Sequence, residues 1–176
     1  LLTGVDAAAI PDYVREVAGE KAKANLQQLM KDAGIKPSYS GPTLRLLHSG
    51  IFSLMTNHEY GVPAYDAAQI SEATIRARRE VHVIVTDLRK IGGAWKNIAV
   101  VATAEQIGVR EGRRIRGRAQ VTAADIVAGR KHEDAACRVN FGFDVHNVRP
   151  GEMFAGGDDI AAEVRRYRQL GSKPYD

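Results

Sequence analysis

The chain has 176 residues, 44% hydrophobic and 26% charged, a balance that suits a globular protein with a real core and excludes a disordered tail. Its formal charge of +4 favours solubility and draws anions without identifying a nucleic-acid binder, and no stretch approaches the roughly 18–20 apolar residues of a membrane helix. The opening LLTGVDAAAIPDYV has neither a basic start nor a long apolar run, which excludes a signal peptide, and the lack of an initial Met points to a piece of a longer protein.

The first predicted element is a helix through DYVREVAGEKAKANLQQLMKDAG. Pro11 suits its first position, where no amide donor is needed, and Gly34 suits its end. Gly19 weakens its middle and allows two shorter helices. Two short apolar runs follow, TLRLLH and IFSLMTN, separated by Ser49-Gly50, and they predict a hairpin whose glycine takes a positive φ. EYGVPAYD is a turn-rich loop. The clearest element is a helix over 67–91, capped by Asp66 and closed by Gly92-Gly93. Ile70, Ala73, Ala77, Val81, Ile84, Val85, Leu88 and Ile91 recur at helical spacing, which leaves Glu72, Arg76, Arg79, Glu80 and Arg89 for water.

The apolar run from Asn97 to Ala104 reads as a buried strand, and RRIRGRAQV as another, with Arg114, Arg116 and Arg118 on one face and Ile115 on the other. Thr122 and Asp125 sit at capping-box spacing on a short helix, TAADIVAG. AACRVNFGFDVH predicts a strand and GGDDIAAEVRRYRQLG a closing helix. The order does not alternate as a doubly wound sheet would. It predicts an α+β fold with a mixed, mainly antiparallel sheet and helices mostly on one side. Residues 1–40 form a helical lead-in and 41–176 the α+β core of a single domain.

No GxGxxG or GxxxxGK[ST] occurs, so the usual way of seating a dinucleotide's pyrophosphate on a helix N-terminus is missing. The five histidines lack metal-ligand spacing, and no metal is expected. His82 reads as structural; His58 and His146 sit at predicted strand ends, where a chemical role and a turn contact both remain open. The lone Cys137 excludes an internal disulfide and reads as a buried, inert thiol, compatible with a cytoplasmic setting.

Chemistry concentrates in VATAEQIGVREGRRIRG, residues 101–117, where a strand runs into a loop that releases Arg110, Arg113 and Arg114 within five positions. Such a loop suits a phosphate, a carboxylate or the negative charge of a reduced flavin. Spacing alone leaves a solvated arginine face equally open. A basic nucleic-acid- or anion-binding module using the Arg110–Arg118 segment is the alternative, although no aromatic residues interleave with it and no nucleic-acid motif is present.

ATAEQIGVREGRRIRGRAQVTAADIVAGRKHEDAACRVNFGFDVHN resembles the middle portion of the FAD-dependent oxidoreductase family of flavoproteins with a glutathione-reductase-like cofactor fold, over roughly residues 97–147. The resemblance implies a substrate-recognition domain of a bacterial flavoprotein, completing the cleft over FAD and inactive alone. Its partners would be the flanking FAD-binding segments and a small-molecule substrate, with no membrane and no nucleic acid. It implies that Gln106, Gly108, Arg110, Arg113 and Arg114 face flavin or substrate. Asp144, His146 and Asn147 would lie near the same cleft, His146 as a candidate for proton transfer. In the family the dinucleotide fingerprint precedes this region and another flavin-contacting segment follows it, near where KPYD closes the chain, so stable FAD binding by the chain alone is not expected. Gly112 stands where the family carries serine, and TNHEYGVPAYD and NFGFDVH also depart from its pattern; these departures bear on the substrate more than on the fold.

Overall fold

A strand of only two residues, β1 (Leu2–Thr3), lies inside the sheet of the computed structural model, which describes residues 1–110, 113 and 115–138. The chain divides into two units, Leu1–Arg113 and Arg114–Asp176. In the first, β1 is followed by 3-10 turns at Ala7–Ala9 and Pro11–Tyr13, then by α1 (Arg15–Ala18) and α2 (Lys21–Asp32). Two helices thus replace one continuous helix. The break falls at Gly19, whose φ of 60° lies in the left-handed region that glycine adopts without cost.

The predicted hairpin forms as β2 (Thr43–His48) and β3 (Ile51–Met55), with Gly50 at φ 72° in its turn. A shift of register falls between Leu46 and His48. Helix α3 (Ala67–Ile91) has the predicted bounds, and the Asp66 carboxylate accepts from the amides of Ala68 and Gln69. After a 3-10 turn at Gly93–Trp95 comes β4 (Ala99–Val100). The sheet runs β2-β3-β1-β4, and every strand pairing is antiparallel, with Leu2 opposite both Phe52 and Val100. The fold is α+β.

Alternation fixes which face of the hairpin is covered. Leu44, Leu46, Phe52 and Leu54 point into one cluster, which also takes Leu26 and Met30 from α2, Ile84, Val85 and Leu88 from α3, and Leu2, Val14, Trp95 and Ile98. Phe52 is 1% exposed, and burying a side chain of this size contributes about 1.5–3 kcal/mol. Tyr13 meets Trp95 edge to face at 5.6 Å, closing the cluster's rim.

Three strand expectations change. The run 97–104 forms strand only at Ala99–Val100: at its 97–98 end β1 turns away at Gly4, and past Val100 the amides of Val101 and Ala102 converge on the one carbonyl of Leu1. At Gly4, with φ 81°, a Cβ would stand 1.9 Å from the Asn97 carbonyl oxygen, so only glycine lets the two segments pass this closely. The second strand, 113–121, does not form: its described residues are irregular, and Ile115 is 95% exposed. Its alternation offers only Ile115, Ala119 and Val121 to an apolar face, and no strand among the described residues pairs with it. Arg116 and Arg118 are exposed there without sharing a strand face. Third, residues 135–138 of the strand expected over 135–146 are irregular. The rest of that strand and the closing helix lie outside the described residues.

In the second unit the capping box forms as predicted on α4 (Ala123–Ala128): the Thr122 hydroxyl accepts from the Asp125 amide, and the Asp125 carboxylate accepts from the Thr122 amide. Arg130 first, then the amide and hydroxyl of Thr122, hold the Asp125 carboxyl far below the usual range. Cys137 corrects the expectation of burial; it is exposed, and among the described residues no helix or strand includes its segment.

Candidate functional site

Helix α3 organises the returning chain through its arginines. Arg89 donates from Nε to the Ile98 carbonyl at 2.6 Å. Arg78 donates through one terminal nitrogen to the carbonyls of both Ala104 and Glu105, at 3.2 and 3.1 Å. These arginines are eleven residues apart in α3, about three turns, and therefore share one face. Farther on, the Arg113 guanidinium lies 5.3 Å from the ring centroid of Tyr65, immediately before the Asp66 cap. As the chain advances from 98 through 104–105 to 113, its contacts retreat from Arg89 through Arg78 to Tyr65. The described residues of 98–113 thus run past α3 in the direction opposite to the helix.

Several expected site residues lie on this segment. Gln106, Gly108 and Arg110 are exposed, as is Arg113 on its tyrosine platform. A Cβ at Gly108 would meet nothing within 4 Å, so this glycine leaves an open approach to the backbone. Arg114, Asp144, His146 and Asn147 lie outside the described residues. The described members share one exposed stretch of chain.

A second polar cluster was legible only in part. The Glu80 carboxylate, expected to face water, turns inward and accepts from the Ser38 amide at 2.6 Å and the Ser38 hydroxyl at 2.8 Å. Ser38 Oγ in turn accepts from the His58 amide at 2.9 Å, and the Tyr60 hydroxyl donates to the Ser38 carbonyl at 3.1 Å. Tyr39 stacks on His58 with centroids 4.4 Å apart, and His58 meets Tyr60 edge-on. Burial, then the charge of Glu80, pushes the Tyr60 hydroxyl above its ordinary pKa. Nearby, the Thr56 hydroxyl is buried and has no hydrogen-bond partner among the described residues. Asn57 donates to the Ala77 carbonyl, and Arg76 pairs with Glu59, so the post-hairpin loop is tied to α3 at two points, and Ser38, ahead of the hairpin, adds a third tie through Glu80. With the amide, carbonyl and hydroxyl of Ser38 all engaged inside the protein, this cluster works as a joint between segments. The signal available in sequence was TNHEYG, where His58 had been singled out; nothing local marked Ser38 as the partner of Glu80.

No group of three or more His, Cys, Asp or Glu among the described residues is placed to hold a metal, and no described helix is long and apolar enough to cross a membrane. A flavin dinucleotide makes two demands, a cradle of unsatisfied amides for its pyrophosphate and cationic or amide donors for the ring's negative edge. Neither α3 nor α4 meets the first. The opening amides of α3 are already taken by Asp66, whose carboxyl is held below its ordinary pKa chiefly by the Gln69 amide, and α4 is closed by its capping box. The second is compatible with the donors here, since Arg110 and Arg113 place guanidiniums on an exposed segment. No curated protein and no solved structure matches the chain. The model of the family described as FAD dependent oxidoreductase matches residues 2–175, and the chain belongs to that family.

Proposed function

We propose that this chain is the substrate-recognition part of an FAD-dependent oxidoreductase, in which the segment 104–114 presents cationic side chains to an anion in the reaction cleft. FAD supplies the electron-accepting chemistry when bound; this chain orients and neutralises negative charge beside it. The observation that carries the reading is that α3 holds the chain at Ala104 and Glu105 through Arg78 and that Arg113 lies on Tyr65, with Gln106, Gly108 and Arg110 exposed on the same run. Family membership supports the cofactor. Arg110, Arg113 and Arg114 are assigned to anion contact. Asp144, His146 and Asn147 are assigned to the same cleft, with His146 for proton transfer. In this reading the chain alone is inactive and depends on the flanking flavin-binding segments.

The anion is either the reduced flavin or an acidic group of the substrate, and one experiment separates the two. Arg110→Ala, Arg113→Ala and Arg114→Ala are made in the flavin-loaded full-length protein. The flavin midpoint potential is then measured, together with the change in flavin absorbance on adding inorganic phosphate. A lowered potential assigns the arginines to the flavin, because cations stabilise its reduced, anionic form. An unchanged potential with a lost phosphate response assigns them to the substrate. If all three variants leave both readouts at wild-type values, the proposal is wrong.

A further inference from the structure

We infer that Arg78 is a positioning residue: it holds the backbone at Ala104 and Glu105 against α3 and so sets the path of the arginine-bearing segment beyond. The inference rests on the proposed anion-binding role of that segment. Arg78 is exposed, yet its guanidinium is committed to two successive carbonyls of a stretch that makes no strand pairing. Consecutive carbonyls of an extended chain point in opposed directions. One guanidinium reaching both therefore requires the backbone to bend at this point, and the bend falls immediately before Gln106, the first residue assigned to the site.

Upstream, the path is already fixed at Ile98 by Arg89 and at Ala99–Val100 by pairing with β1. Downstream, Arg113 rests on Tyr65, a contact of a kind worth about 0.5–1 kcal/mol at an exposed site. Between them, Arg78 is the side chain that fixes the main chain itself. Arginine suits the task because its planar, always-charged fork carries several donors, whereas lysine offers a single point of charge. A merely solvated arginine at position 78 would leave the segment's entry angle unset.

The scissile carbonyl for a glutamate-specific protease at Glu105 is one of the two that Arg78 holds. The test is therefore made on the flavin-loaded full-length protein, comparing wild type with Arg78→Ala and Arg78→Lys. Cleavage after Glu105 is followed alongside the flavin midpoint potential and the phosphate response. The expected result is about a tenfold faster cut in Arg78→Ala, the factor that corresponds to losing charge-assisted hydrogen bonds of ordinary net worth. It should come with a shift, in the same direction as in the Arg113→Ala variant, in whichever flavin readout that variant alters. Arg78→Lys should fall between the two, since one ammonium restores part of the hold. Unchanged cleavage in Arg78→Ala overturns the inference outright. A shifted flavin readout without faster cleavage also overturns it, by making Arg78 a direct contact. Faster cleavage with both flavin readouts unchanged overturns it too. If Arg110→Ala, Arg113→Ala and Arg114→Ala are equally silent, the anion-binding reading fails with it; if they are not, only the role of Arg78 does.

Discussion

Replacing Gly4 by alanine tests the closest backbone approach in the first unit. Two costs combine there. A φ of 81° is disfavoured for any residue with a Cβ, at about 1–2 kcal/mol. The added Cβ would also lie 1.9 Å from the Asn97 carbonyl oxygen, where contacts below 3.0 Å essentially never occur, so the strands must part by about 1.1 Å (3.0 − 1.9). Overpacking of this kind adds about 1–3 kcal/mol, for a total near 2–5 kcal/mol. At about 4 °C per kcal/mol for a unit of this size, the midpoint of thermal unfolding should fall by roughly 8–20 °C. Gly19→Ala is the matched control: its φ is 60°, but a Cβ there meets nothing within 4 Å, so only the first cost applies and the fall should be about 4–8 °C. Circular dichroism melts of the two variants read the difference directly. Equal losses at the two positions would refute the argument that contact with Asn97, rather than backbone conformation, makes Gly4 necessary.

Glu80→Ala removes the acceptor for both the amide and the hydroxyl of Ser38 and should cost about 1–3 kcal/mol in denaturant unfolding. Ser38→Ala should cost less, and a double mutant no worse than Glu80→Ala would confirm that the two residues act as one joint. For Asp66 the folded pKa lies below the unfolded one. Its capping contribution to α3 is therefore fully present above the ordinary carboxylate pKa near 4 and is lost as pH falls through the depressed folded value. Melts between pH 5 and pH 2 should show a steeper loss for wild type than for Asp66→Ala, and parallel curves would contradict the cap's role. Cys137 should react fully with an aryl disulfide reagent in the folded protein, without denaturant, because it is exposed. Protection until unfolding would restore the buried-thiol reading.

Local physics made much of this protein legible from its residues. The bounds of α3, its Asp66 cap, the Gly50 turn, the possible break at Gly19 and the Thr122–Asp125 capping box all depend on groups within a few residues of one another. The antiparallel α+β character followed from the hairpin and the order of elements, and the QIGVRE-containing segment carried the family. What the chain order could not reveal was set at long range. Leu2–Thr3 carries no periodicity because two residues are too few to show one, yet pairing with Phe52 and Val100 puts that strand inside the sheet. The arginine-rich run 113–121 alternates like a strand, but no strand among the described residues offers it a ladder, and its described residues are irregular. Glu80 looks like a water-facing residue on a helical wheel until Ser38, far back in the chain, arrives with two donors. Arg89 likewise reads as a solubilising charge, though its eleven-residue spacing from Arg78 already places the two on one face of α3. Only the return of 98–105 along that face supplied the carbonyls they hold, because hydrogen-bond partners distant in sequence are chosen by the packed fold and leave no mark on the local pattern.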